Sequence, residues 1–259
     1  MVNDLEIWQR ERESELSSPS SWLGLIGLFW LQPGVNRVGS AEGAAVVLPA
    51  GPSELGDIVW EADCLVWQPV DGEPRRLSTD LNGAPTVVDV GHLSFFIVDR
   101  EGQLAVRVRD REWALRTPFA GLEYFPFDAS WQIEAAWEAI DPPLVMEVPN
   151  VSGDLKTVSV SRRAVFVHAG QSVTLLPMSV GEQEVFFVFR DRTSGKDSYG
   201  AGRFLKVLAA ENGRIWLDFN RACNPPCAFT PFATCPLPPP ENWLPFEVRA
   251  GEKKYAGKA

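Results

Sequence analysis

Basic residues, histidines and long apolar runs are scarce in this chain, and each shortage excludes something. The 24 Lys+Arg are outnumbered by 34 Asp+Glu, for a formal charge of −10. A surface of that sign repels phosphate backbones and anionic lipid headgroups, so neither nucleic acid nor membrane is an expected partner. The longest apolar run near the start, Trp22–Leu31, is about ten residues where a helical span needs roughly 20. Asp4, Glu6, Glu11, Glu13 and Glu15 precede it, where a secretory signal would carry basic residues. The expected location is therefore cytoplasmic, where thiols stay reduced.

His92 and His168 are the only two histidines. A Ser/His/Asp triad needs one of them beside a serine and a carboxylate, and no G-x-S-x-G elbow accompanies either. Zinc sites draw on close cysteine pairs or cysteines with histidines. Cys223, Cys227 and Cys235 are spaced otherwise, and Pro225-Pro226 stiffens the turn between the first two. No metal and no cofactor is expected. Helix signals and internal repeats are also nearly missing.

Short strand patterns make up most of the remainder. Asn3 or Asp4 can cap a first helix with Leu5, Trp8 and Leu16 on its apolar stripe, ended by Ser17, Ser18 and Pro19. Strands are then predicted at 45–48, 58–60, 64–67, 86–90, 93–98 and 104–108, with turns at Asp71-Gly72, Asn82-Gly83 and Glu101-Gly102. After a break near 110–118, further strands are predicted at 131–137, 145–148, 157–160, 164–168, 172–176, 185–189, 203–208 and 215–219. The expected fold is mainly β. It comprises an N-terminal helix over 1–21, a small antiparallel β-sandwich over 22–112, and a larger antiparallel sheet or barrel domain over 113–259 closed by a Pro-rich C-terminal segment.

That segment, Leu217–Pro245, holds three of the four cysteines and eight of the 21 prolines. Proline fixes φ and removes a donor, so the chain there is expected to run as a kinked rope pinned by side chains. Three constellations carry candidate chemistry. The loop DRTSGKDSYGAGR has Asp191, Thr193, Tyr199 and Arg203, with glycines that let amides turn toward an anion. Its alternative is a plain hairpin loop in which Asp191 pairs with Arg203. Asp218 and Asn220, on one face of a strand, and Asn224 can orient a ligand or satisfy the donor-poor rope. Cys227 or Cys235 can act as a nucleophile if a positive field lowers its pKa, or can pack as a small apolar side chain.

The runs WLGLIGLFWLQPGVNRVGS, FAGLEYFPFD, DRTSGKDSYGAGRFL and LDFNRACNPPCAFTPFATCPLPPPENWL resemble a bacterial and archaeal family, domain of unknown function sixteen eighty-four, over nearly the whole chain. The resemblance implies that these motifs form one unit; it brings no substrate. Leu31, Gly34, Val38, Gly39 and Ser40, with Val46–Leu48, Ser53 and Asn82-Gly83, are also similar in order to a forkhead-associated β-sandwich. That second likeness implies phosphothreonine reading, although Ser40 and Gly56 stand where that family has arginine and histidine.

Two functions follow as expectations. One is binding or turnover of a small polar or anionic ligand, with Asp191, Thr193, Tyr199, Arg203, Asp218, Asn220 and Asn224 holding it and Cys227 or Cys235 as nucleophile. The other is a noncatalytic protein-interaction module that uses the β-sandwich or the Pro-rich segment.

Overall fold

The computed structural model describes residues 2–62, 64–151, 153 and 155–257. Helix α1 (Val2–Ser17) starts ahead of the expected caps, so Asp4 sits in the first turn, where its charge suits the helix dipole. The side chain of Asn3 lies outside the described residues. The serines end the helix as expected: Ser18 Oγ donates to the Glu15 carbonyl at 2.7 Å. Leu5 and Leu16 are buried, and Trp8 meets the Tyr124 ring edge-on.

Two units follow from the packing, Glu15–Phe119 and Met1–Ser14 with Ala120–Ala259. The N-terminal β unit contains β1 (Leu25–Trp30), β2 (Gly34–Gly39), β3 (Val46–Val47), β4 (Gly56–Glu61), β5 (Cys64–Pro69), β6 (Arg75–Arg76), β7 (Val88–Val90), β8 (Leu93–Arg100) and β9 (Gln103–Asp110), with a short helix α2 (Trp113–Arg116). They form two sheets, β1-β9-β8-β7 and β3-β2-β4-β5-β6. Alternation sends Val38, Ile58 and Trp67 from one sheet and Phe95, Ile97 and Val106 from the other into a shared core, where Trp67 meets Phe95 edge-on. The pairing is antiparallel except between β2 and β3, where Val38 and Val46 align in parallel. Strand β1 occupies the run that reads in sequence only as apolar, and it pairs with β9. Ser40 and Ser53, of the forkhead-associated-like order, lie where Ser40 N donates to Pro52 O at 2.9 Å and Ala41 N to Ser53 O at 3.1 Å. The side chain of Asn82 lies outside the described residues.

The C-terminal β unit contains β10 (Gln132–Pro149), β11 (Leu155–His168), β12 (Gln171–Leu175), β13 (Ser179–Val180), β14 (Glu184–Phe189), β15 (Arg203–Leu208) and β16 (Arg214–Asp218). Its sheets are β12-β11-β10-β16 and β13-β14-β15. Four predicted strands merge here into two long ones. Pro142-Pro143 lies between the strands expected at 131–137 and 145–148, but β10 passes the pair by shifting register between Ala139 and Leu144 against β11. Phe187, Leu205 and Val207 of one sheet face Ala135, Phe166, Ile215 and Leu217 of the other, and Phe219, Ala222 and Leu244 of the rope, with Val248 and Ala250 of the segment that continues it, complete the core. Burying these rope residues at roughly 25 cal/mol per Å² of apolar surface ties a segment without regular ladders to the sheets. Asn242 supplies donors that the prolines lack, and an acceptor besides. Its amide donates to Leu176 O and Val188 O at 2.8 Å and accepts from Leu176 N at 2.8 Å.

Among the described residues no helix is long and apolar enough to cross a membrane.

Candidate functional site

The loop from 191 to 203 closes on itself. Asp191 Oδ1 accepts from Thr193 N at 2.6 Å and from Thr193 Oγ1 at 2.5 Å, and Thr193 Oγ1 lies 2.7 Å from Ser198 Oγ. Two of the three glycine amides expected to face an anion serve the loop instead: Gly195 N donates to Ser198 O and Gly202 N to Tyr199 O. Arg203 opens β15 on its inward face with a side chain 1% exposed, and Asp191 Oδ2 meets its Nη2 at 2.6 Å. Its guanidinium also donates to Val248 O at 2.8 Å and to Ala250 O, and the Phe189 and Phe125 rings flank it. Burial pulls the Arg203 pKa down, while the adjacent Asp191 carboxylate works against that shift. Of the two readings of this loop, the geometry matches the internally paired one. Asp191, Thr193 and Arg203 act together as a clamp on the C-terminal rope.

Asn224 belongs to a second buried group. Its backbone N donates to Glu252 Oε2 at 2.7 Å, and its side-chain amide donates to Lys253 O at 2.8 Å. Arg12 of α1 reaches Glu252 Oε1 at 3.0 Å and Asn224 O at 2.9 Å. Burial raises the Glu252 pKa, against the pull of Arg12 and the Asn224 N–H. Glu252 was missed in the sequence because it sits in the polar run GEKK, which reads as a solvated tail.

The expected strand alternation at 217–220 stops at Asp218. Asp218 Oδ1 accepts from Asn220 N at 3.1 Å, capping a 3₁₀ turn over Phe219–Arg221. This curls Asn220 inward, where it exchanges two 3.1 Å hydrogen bonds with the Asp128 backbone. Asp218 stays partly exposed, with Gln132 Nε2 at 3.1 Å and Arg221 Nε at 3.6 Å from Oδ2.

Tyr199, Cys227 and Cys235 form a third group. The Tyr199 hydroxyl donates to Cys227 O at 2.8 Å, and Cys227 N donates to Cys235 Sγ at 3.3 Å. None of the four cysteines is in a disulfide. The hydrogen bond from Cys235 is the main influence holding the Cys227 thiol pKa below its ordinary value; burial opposes it and Tyr199 assists. Among the described residues no three His, Cys, Asp or Glu side chains gather as a metal ion would need.

An open groove of about 710 Å³ lies elsewhere in this unit, bordered by Glu184, Lys206, Leu208, Arg214, Trp216 and Asp218, with Arg221 at its end. It follows from strand alternation. Because Leu205 and Val207 of β15 and Ile215 and Leu217 of β16 face the core, the intervening Lys206, Leu208, Arg214, Trp216 and Asp218 must face out. Leu208 is 83% and Trp216 61% exposed. Asp218 is the one expected ligand residue on this groove. Trp216, Arg214 and Lys206 were not singled out in the sequence, although an outward tryptophan beside an arginine on a predicted strand is a readable signal.

Fold and groove together define a class: a mainly β protein whose C-terminal β unit is sealed by a proline-rich rope and carries an open, mixed-charge groove. The chain belongs to the family described as Protein of unknown function (DUF1684), whose model matches residues 117–253. That span includes the FAGLEYFPFD, DRTSGKDSYGAGRFL and proline-rich runs, while the run 22–40 and the forkhead-associated-like order lie outside it. No curated protein matches the chain. The solution NMR structure of an uncharacterized protein of Haloarcula marismortui is similar, with 34% identity over 52% of this chain and 77% of that one, at a TM-score of 0.42.

Proposed function

We propose that the groove between β15 and β16 binds a small anionic ligand with a flat apolar portion. The observation that carries this reading is Trp216, a large aromatic ring 61% exposed on the floor of a cavity of about 710 Å³. That volume is within the ~300–1,000 Å³ of small-molecule sites. An exposed tryptophan offers a stacking platform, and Lys206, Arg214 and Arg221 stand around it. Their present partners are the exposed carboxylates of Glu184 and Glu134 and the partly exposed one of Asp218. Exposed pairs of this kind are worth about 0–1 kcal/mol, so a ligand carboxylate or phosphate exchanges into them at little cost. In this reading Asp218 orients the ligand, whereas Asp191, Thr193, Tyr199, Arg203, Asn220 and Asn224 hold the scaffold on which the groove is built.

Thermal-shift titration with benzoate, phenyl phosphate and inorganic phosphate tests it. Ligands that bind the native state raise stability by mass action, about 2.7 kcal/mol at a hundredfold excess over Kd. Phenyl phosphate should raise the melting temperature more than inorganic phosphate, and Trp216→Ala should erase that difference. Equal shifts in parent and variant, or none in the parent, would remove the groove from consideration.

A further inference from the structure

The Pro-rich rope holds a second chemistry, independent of the groove. Cys227 and Cys235 are brought together by the intervening segment. Pro225 and Pro226 lead into a 3₁₀ turn over Pro226–Ala228, and Thr230 N returns to Pro226 O at 3.2 Å. The chain then folds back so that Cys235 Sγ accepts the Cys227 N–H at 3.3 Å. Prolines 225, 226, 231 and 236 limit the freedom of this loop, and Cys235 Sγ is held beside Cys227, within reach of a hydrogen bond between the two thiols. Their exposures differ. Cys235 is 5% exposed, while Cys227 is only partly buried and so the more accessible of the two. Cys223, the third thiol of the segment, has a different seat: its backbone exchanges two 2.9 Å hydrogen bonds with Phe204 of β15.

We propose that Cys227 and Cys235 form a reversible dithiol–disulfide site, in which Cys227 attacks, Cys235 resolves, and the oxidant is a low-molecular-weight disulfide of the glutathione type. The Cys227 thiolate attacks one sulfur of RSSR, forming Cys227–S–S–R and releasing RS⁻, which takes up the proton lost by Cys227. The Cys235 thiolate then attacks the Cys227 sulfur, forming the intramolecular disulfide and expelling a second thiolate, which is protonated in turn. Two electrons pass from the protein to RSSR, two RSH leave, and excess RSH reverses both steps. The order of attack follows from access and acidity together. Exchange favours a reachable thiol with an appreciable thiolate fraction. The Cys235 hydrogen bond and Tyr199 lower the Cys227 pKa despite its partial burial. A reachable low-pKa cysteine beside a resolving one is the arrangement found in redox-responsive sites. Tyr199 has a defined part in it, since its hydroxyl bonds the Cys227 carbonyl and so fixes the attacking residue.

The experiment equilibrates the reduced full chain in buffers of increasing glutathione disulfide to glutathione ratio, quenches with acid, alkylates the remaining thiols and maps them by mass spectrometry. Trypsin leaves 222–249 as one peptide because no Lys or Arg lies between Arg221 and Arg249. Chymotrypsin cuts after Phe229 and Phe232, which separates Cys227 from Cys235 unless a disulfide joins them. The expected result is a 227–235 linkage with Cys223 alkylated, reversed by excess glutathione. In Cys235→Ser the reaction should stop at a glutathione adduct on Cys227, and in Cys227→Ser the linkage should not form. A linkage through Cys223, an adduct on Cys235 in the parent, or dithiols that persist in glutathione disulfide alone would overturn the proposal. Mapping of the parent decides this even if a variant fails to fold.

Discussion

Replacing Arg203 with methionine keeps much of the side-chain volume and removes one charge from a site that water does not reach. The Asp191 carboxylate, 0% exposed, would lose its 2.6 Å partner, and the carbonyls of Val248 and Ala250 would lose a donor. Breaking a buried ion pair by deleting one member costs about 3–5 kcal/mol, because the remaining charge stays buried without compensation. A loss of that size is a large share of the ~5–15 kcal/mol that holds a typical domain together. Urea unfolding with linear extrapolation measures the loss, and hydrogen exchange locates it. The amides of Glu252, Lys253 and Lys254, which bond Ala222, Glu123 and Asp197, should lose protection before those of β14. The double variant Arg203→Met/Asp191→Asn should be less destabilised than the sum of its single changes, by about 0.5–3 kcal/mol. If Arg203→Met stays within about 1 kcal/mol of the parent and those amides remain protected, the clamp is not what holds the rope.

Trp216→Ala should change stability by no more than about 0.5 kcal/mol, as for other exposed positions, while abolishing the preference for phenyl phosphate in thermal-shift titration. Gly251→Ala should cost about 2 kcal/mol or more in urea unfolding: φ is +78° there, and an added Cβ would fall on the Ala222 carbonyl oxygen. Burial alone would raise the Asp80 pKa, but the Arg100 hydrogen bonds and the Asp99 N–H carry it below 3.8. Its stabilisation is therefore complete above that value and lost as pH falls through the lower folded pKa, so Asp80→Asn should flatten the acid limb of a pH series of urea midpoints. Glu252 has the opposite sign. Its folded pKa lies above 4.5 through burial, so stability declines as pH rises from 4.5 through the folded value, a slope that Glu252→Gln should remove in the same series. Parallel curves for either variant and the parent would contradict the assignment.

Strand periodicity carried far in this chain because alternation is a local property. The outward and inward faces of 203–208 and 215–218 are legible from Leu205, Val207, Ile215 and Leu217 alone, and the end of α1 from Ser17, Ser18 and Pro19. It failed where tertiary contacts override local preference. Pro142-Pro143 lies between two expected strands, yet β11 supplies a partner strand and a register shift absorbs the pair. Asn220 reads as a strand residue beside Asp218 and does meet it, its amide donating to Asp218 Oδ1 at 3.0 Å, but it does so within a turn that the tertiary hydrogen bonds with the Asp128 backbone hold.

The amino-acid order by itself determined a mainly β chain with a polar helix at its start, closed by a proline-rich rope that must borrow its hydrogen bonds from side chains. Only the tertiary structure decided which side chains those are, and what is left exposed. Asp191 and Arg203 are far from residues 248–252 in sequence, and their partnership with that segment depends on burial, which no local pattern encodes. Once they are committed to the clamp, the surface chemistry passes to the residues that core packing turns outward, Trp216 and the cations around it. Two of the rope's three thiols are held as neighbours by a fold-back that its prolines stiffen but that spacing alone does not reveal.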